Sequence, residues 1–136
     1  LHLAHLLARV LWLGVVIPDA LFDFTASDSE SLRAAGRFHY NVDKFGELPI
    51  LFGVLITGTL LAVRAWPLTP LHLTKIAASL VAVGANLICT RWVFQRRRVE
   101  DRNVLLGFRR RIWSLAAIGV VFATPALYIG LVYFRR

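Results

Sequence analysis

His2, His5, Arg9 and Trp12 stand at three- and four-residue steps inside the apolar run that opens the chain, from Leu1 to Ile17. On an α-helix that spacing gathers two imidazoles, a guanidinium and an indole N–H on one face. Neutral imidazole nitrogens are metal ligands, and a guanidinium matches a carboxylate with two parallel hydrogen bonds. Such groups are costly in hydrocarbon, so in a membrane-length segment they mark a bundle interior, a cofactor or a water-filled path. A second polar line begins at His72 and Lys75 and continues at helical spacing through Ser79 to Asn86.

The elements that must position these groups are helices. Of the 136 residues 57% are hydrophobic, mean hydropathy is +0.63, and 16 Lys and Arg oppose 8 Asp and Glu. Apolar stretches near the ~20 residues that cross hydrocarbon run at about 3–24, 46–65, 71–95 and 112–134. The expected fold is therefore all-α, an integral membrane four-helix bundle forming a single transmembrane domain over 1–136. Four spans leave no room for a separate soluble catalytic module, so any chemistry belongs inside the bundle or at its mouths. Pro18 and Asp19 should kink the first span or bring its end out into the headgroups. The second span should be preceded by an amphipathic turn over 37–47. Arg9 interrupts the first run and no small-residue cleavage pattern follows it, so that run reads as a retained helix rather than a signal peptide.

With four spans, the loops at 25–47 and 95–111 share one side, and both termini share the other with the turn at 65–70. About ten Lys and Arg flank the spans on the first side and about four, including Arg135 and Arg136, on the second. The positive-inside rule then makes the 95–111 loop cytoplasmic and both termini outward, with a bacterial inner membrane as the expected location. The basic charge serves this orientation, and nucleic acid is not an expected partner. Cys89 is the single cysteine, which rules out an intramolecular disulfide or a multi-Cys metal centre.

This topology starts the first and third helices at the same face, so His2, His5, Arg9, His72 and Lys75 can converge at similar depth. Imidazoles on facing helices suit haem iron, cations nearby neutralise propionates, and Phe, Leu and Trp supply an apolar slot. Haem b is the expected cofactor, because Cys-x-x-Cys-His, the attachment signature of c-type haem, is absent. His5 and His72 are the candidate metal ligands. Arg9, Trp12 and Asn86 join them as candidate cofactor-binding residues, and Lys75 is the candidate catalytic residue. His39 reads as a surface or helix-start residue. Asp19, Asp23, Asp43, Lys44 and Glu47 read as an interfacial ion-pair cluster, with a proton path as the other reading. Gly53, Thr57 and Gly58 read as close-packing positions.

Over roughly residues 2–90 the chain resembles the HemJ-type membrane protoporphyrinogen oxidases and their four-helix relatives. The similarity lies in His5 followed after six residues by Trp12, in Arg37-Phe38-His39-Tyr40, in Pro49 with Gly58 nine residues later, and in Leu71-His72 with Lys75. The resemblance implies haem b in a four-helix bundle, His5 as a ligand and Lys75 near a porphyrin substrate. Two residues separate His72 from Lys75 where the family pattern has one, so a divergent relative is expected rather than the oxidase itself. CopD-like copper-resistance membrane proteins have a similar module, but no Met and one Cys suit Cu(I) poorly. An oxidoreductase or electron-transfer protein acting on a porphyrin or quinone is the leading expectation. An accessory subunit of a larger respiratory or photosynthetic membrane complex, or a homo-oligomer, is the second; a transporter component is the third.

Overall fold

A computed structural model describes residues 1–133. The last residue of the fourth expected span and the Arg135 and Arg136 of the orientation count lie outside the described residues. The elements are α1 (His2–Thr25), α2 (Ser29–Val42), a π-helical turn (Asp43–Glu47), α3 (Leu48–Arg64), α4 (Pro70–Arg96) and α5 (Arg102–Tyr133), with no strand among the described residues. Because α2, the π turn and α3 run on without a break, four helices are long and apolar enough to cross a membrane: His2–Thr25, Ser29–Arg64, Pro70–Arg96 and Arg102–Tyr133.

The helices outrun the apolar stretches because polar caps start them early. Asp28 accepts from the Ser31 amide at 2.8 Å while Ser31 Oγ accepts from the Asp28 amide at 3.1 Å, a capping box that opens α2 well before residue 37. Asp101 caps α5 through its carboxylate alone, accepting from Asn103 N at 2.8 Å and Val104 N at 3.1 Å, so the basic segment 102–111 is helix rather than loop. Helix α1 continues through Pro18 to Thr25.

Burial is inverted relative to a water-soluble bundle. The buried residues of α1 are His5, Arg9, Trp12, Asp19 and Asp23, each carrying a polar group, whereas Leu3, Leu7 and Phe24 are 69%, 53% and 67% exposed. A helix in water hides its apolar stripe; this one hides its polar stripe. On α5, Leu105, Ile112, Gly119 and Ala126 repeat every seven residues on the buried face. The small residues in that series let backbones approach: a β-carbon on Gly119 would stand 3.8 Å from the Ala82 carbonyl oxygen.

The π turn has a local cause and a positional effect. Pro49 has no N–H and its ring would collide with the Phe45 carbonyl in a continuous α-helix; the wide turn, closed by Leu48 N–H to Asp43 O, relieves that collision. An α-helix drifts forward by about 40° over four residues at its ~3.6 residues per turn, and a π turn, holding more residues per revolution, drifts back. His39, Asp43 and Glu47 consequently stay on one buried face.

Candidate functional site

Polar groups concentrate in two regions along the buried stripe of α1. Near the N-terminal end, α3 and α4 are consecutive in the chain yet stand apart. Between them lies a crevice of about 160 Å³, lined among others by His2, His5, Gly58, His72, Lys75 and Ser79. His5 Nδ1 is 2.9 Å from Thr57 Oγ1, and Thr57 Oγ1 is 2.6 Å from the Gly53 carbonyl oxygen. A hydroxyl has one hydrogen, and the carbonyl can only accept it, so Thr57 accepts from His5 Nδ1–H. The lone pair of the neutral ring is then on Nε2, the arrangement of a metal-ligating histidine oriented by an outer partner. A β-carbon on Gly58 would stand 3.2 Å from His5 Cε1, so the glycine keeps room for the ring.

His72 lines the same crevice in the opposite tautomeric setting. Its Nδ1 accepts from the Thr69 amide at 3.3 Å and lies 2.8 Å from Thr69 Oγ1, closing the N-terminal cap of α4. The hydrogen of a neutral His72 is thus on Nε2. Lys75 extends toward α5, where a β-carbon on Gly130 would meet its Nζ at 3.2 Å.

The remaining expected site residues lie deeper and are otherwise engaged. Arg9 donates to the carbonyl oxygens of Ala126 at 3.1 Å and Ala123 at 3.4 Å, tying α1 to α5. Trp12 Nε1 donates to Glu47 Oε1 at 2.9 Å, and Asn86 Nδ2 donates to the same oxygen. Of the expected set, the structure brings His5, His72 and Lys75 to one crevice with His2. Arg9 sits over a small void beneath it, and Trp12 and Asn86 lie with Glu47.

The second region is buried inside the bundle. Asp19, Asp23, His39, Asp43, Glu47, Asn86, Thr90 and Arg96 are all at least nine-tenths buried. His39 Nε2 lies 2.8 Å from Asp19 Oδ2 and 3.5 Å from Asp43 Oδ1. Arg96 pairs with Asp23 at 2.6 Å and also donates to the Leu32 carbonyl at 3.3 Å. Lys44 is exposed, over the Tyr40 and Phe45 rings, and takes no part. Thus His39 is not a surface residue, and the acidic residues form a buried nest with a single arginine. The steps 12–19–23 on α1 and 39–43–47 on the second helix carried that signal, since each keeps one face of a helix. A cavity of about 300 Å³ lined by Trp12, Asp19, Asp23, His39, Glu47 and Asn86 adjoins the nest.

Comparison with protein-family models, with curated proteins and with solved structures finds no match for this chain.

Proposed function

We propose that the protein is an integral membrane bundle that carries haem b in the crevice between α3 and α4, with His5 as an iron ligand and with electron transfer to or from a porphyrin or quinone as its activity. The observation that carries the reading is the relay from His5 through Thr57 to the Gly53 carbonyl, which holds the ring with its Nε2 lone pair available. The inverted burial of α1 supports the membrane part, because a polar stripe turned inward and leucines turned outward lower the free energy only where the surroundings are apolar.

The donor types suit the cofactor, a neutral imidazole for iron and a lysine for an acidic group. The crevice volume, about 160 Å³, is below the ~300–1,000 Å³ of pockets that enclose drug-sized ligands, so α3 and α4 would part further to let the ring reach His5. Haem iron supplies one-electron chemistry when bound. His5 would hold the metal, and Lys75, a compact charge lining the same crevice, would bind an anionic group or deliver a proton to a substrate. His72 acts first as the cap of α4. Arg9 fixes the floor by holding α1 against α5, leaving the propionate role to Lys75.

Absorption spectra of detergent-purified protein, oxidised and dithionite-reduced, test the proposal. A Soret band that shifts on reduction and is lost in His5→Ala is expected. No chromophore in the native protein, even after haem is added, would sink it and favour the accessory-subunit reading. For the orientation, cysteines introduced over 96–111 should be protected from impermeant reagents in intact cells, and labelling from outside would reverse it.

A further inference from the structure

The buried nest contains more acid than its partners neutralise. Asp19, Asp23, Asp43 and Glu47 are at most 5% exposed, and Arg96 is the arginine that reaches them, through Asp23. Burying an ionised carboxylate is strongly unfavourable without a counter-charge, so such a group is paired, protonated or bound to a metal. Glu47 is met by the Trp12 and Asn86 donors. Asp19 and Asp43 meet at the His39 imidazole, and Asp43 also has side-chain contacts with Glu47 and Thr90, neither of which brings a positive charge.

One ligand atom each from Asp19, His39 and Asp43 lies within 4.8 Å of the others. Donors around an octahedral ion with bonds of about 2.1 Å stand roughly 3 Å apart when adjacent and about 4.2 Å apart when opposite, so these three atoms already have close to the separations a cation requires. An independent observation comes from a neutral side chain. Asn86 is 8% exposed, lines the adjoining cavity with Asp19, His39 and Glu47, and its Oδ1 makes no hydrogen bond among the described residues. Asp19 Oδ1 is likewise without a hydrogen-bond partner there. A carbonyl oxygen and an ionised carboxylate oxygen are acceptors only, so both can be met by a cation directly or by water donating to them, and both face the region beside the three candidate ligands.

We propose that Asp19, His39 and Asp43 form a binding site for a divalent metal ion, independent of the His5 crevice, with water in the adjoining cavity completing its coordination. Two carboxylates with one imidazole suit an ion that accepts hard oxygen and borderline nitrogen together, the Mn²⁺ and Fe²⁺ class, better than Ca²⁺ with its all-oxygen shell. Bound there, the ion joins α1 to the second long helix across their buried faces and compensates the acidic excess.

Mn²⁺ is the probe. Full-length protein in detergent, stripped with EDTA and dialysed, is titrated with Mn²⁺ while the free-ion electron paramagnetic resonance signal is followed. About one tightly bound Mn²⁺ per chain is expected, with nitrogen hyperfine coupling from His39 in the pulsed spectrum. Asp43→Asn should raise the dissociation constant by more than the ~10–100-fold typical of losing an outer-shell partner, and the exposed Glu30→Gln should leave it unchanged. Absence of saturable binding at millimolar Mn²⁺, or binding without nitrogen coupling, overturns the proposal. Both readings use the native chain and hold even where the Asp43 variant fails to fold. Native affinity in a folded Asp43→Asn protein overturns it equally.

Discussion

The two ends of the buried stripe on α1 are built from the same helix and solve opposite electrostatic problems. At the N-terminal end the groups are basic, His5, Arg9 and Lys75, and the hydrogen bonds that define the site are made: Thr57 holds His5 and two α5 carbonyls hold Arg9. At the other end the groups are acidic, and acceptors such as Asp19 Oδ1 and Asn86 Oδ1 have no hydrogen bond among the described residues. Trp12, Glu47 and Asn86 mark the boundary, where an indole and an amide converge on one carboxylate oxygen. A pre-satisfied end can orient a neutral ring for a bulky cofactor, whereas an under-satisfied acidic end asks for a positive ligand. The comparison teaches that one helical stripe can present two polar settings of opposite charge.

Removing the arginine of the acidic end should have the largest effect. Arg96→Met leaves Asp23 buried without its partner, and loss of one member of such a pair costs about 3–5 kcal/mol, so detergent-solubilised Arg96→Met should unfold at markedly lower SDS or temperature than the native chain. Added Mn²⁺ should recover part of that loss if the nest takes a cation; unchanged stability would show that Arg96 is not compensating the cluster.

At the basic end the expected effects are smaller, because single hydrogen bonds rather than a buried ion pair are at stake. Thr57→Val removes the acceptor for His5 Nδ1–H and should weaken haem retention by about 10–100-fold, measured by haem transfer to an apo-acceptor, with Mn²⁺ binding unaffected. Arg9→Lys gives up the two-point attachment to Ala126 and Ala123 and should cost about 1–2 kcal/mol. Loss of Mn²⁺ affinity in either variant would mean that the two ends are coupled.

The smallest effect lies outside both. The amide and hydroxyl of Ser31 hold the Asp28 carboxyl below its ordinary value. A lowered folded value means that the cap's contribution is present above the unfolded-chain value and is lost as pH falls through the folded one. Protection of the amides in the first turn of α2, normalised to intrinsic exchange, should therefore fall in acid in the native chain, whereas Asp28→Ala should show low protection already at neutral pH and little further change. Matching acid profiles in the two proteins would contradict this.

The four long helices were legible because their apolar stretches are long and their composition leaves little else to build. So was the meeting of His5, His72 and Lys75, which follows from helix order alone. The acidic nest was legible only as residues. Asp19 and Asp23 follow a proline and Asp43 to Glu47 precede one, so local rules end helices there and place the carboxylates at an interface. Whether His39 faces outward or toward Asp19 depends on the packing of α2 against α1, and the π turn that keeps Glu47 beneath it has no hydropathy signature. Asn86 shows the complementary limit. Its spacing continues the line from His72, but farther along α4 that line has left the crevice and meets Glu47.

The separation of the two ends is tested most directly by assaying haem and manganese on the same preparations of native, His5→Ala and His39→Ala protein, each reconstituted with both ligands. His5→Ala should lose the Soret band and keep its Mn²⁺; His39→Ala should keep the Soret band and lose Mn²⁺ with its nitrogen coupling. Parallel loss, or retention of both ligands in both variants, would contradict two chemically distinct sites on one helix stripe.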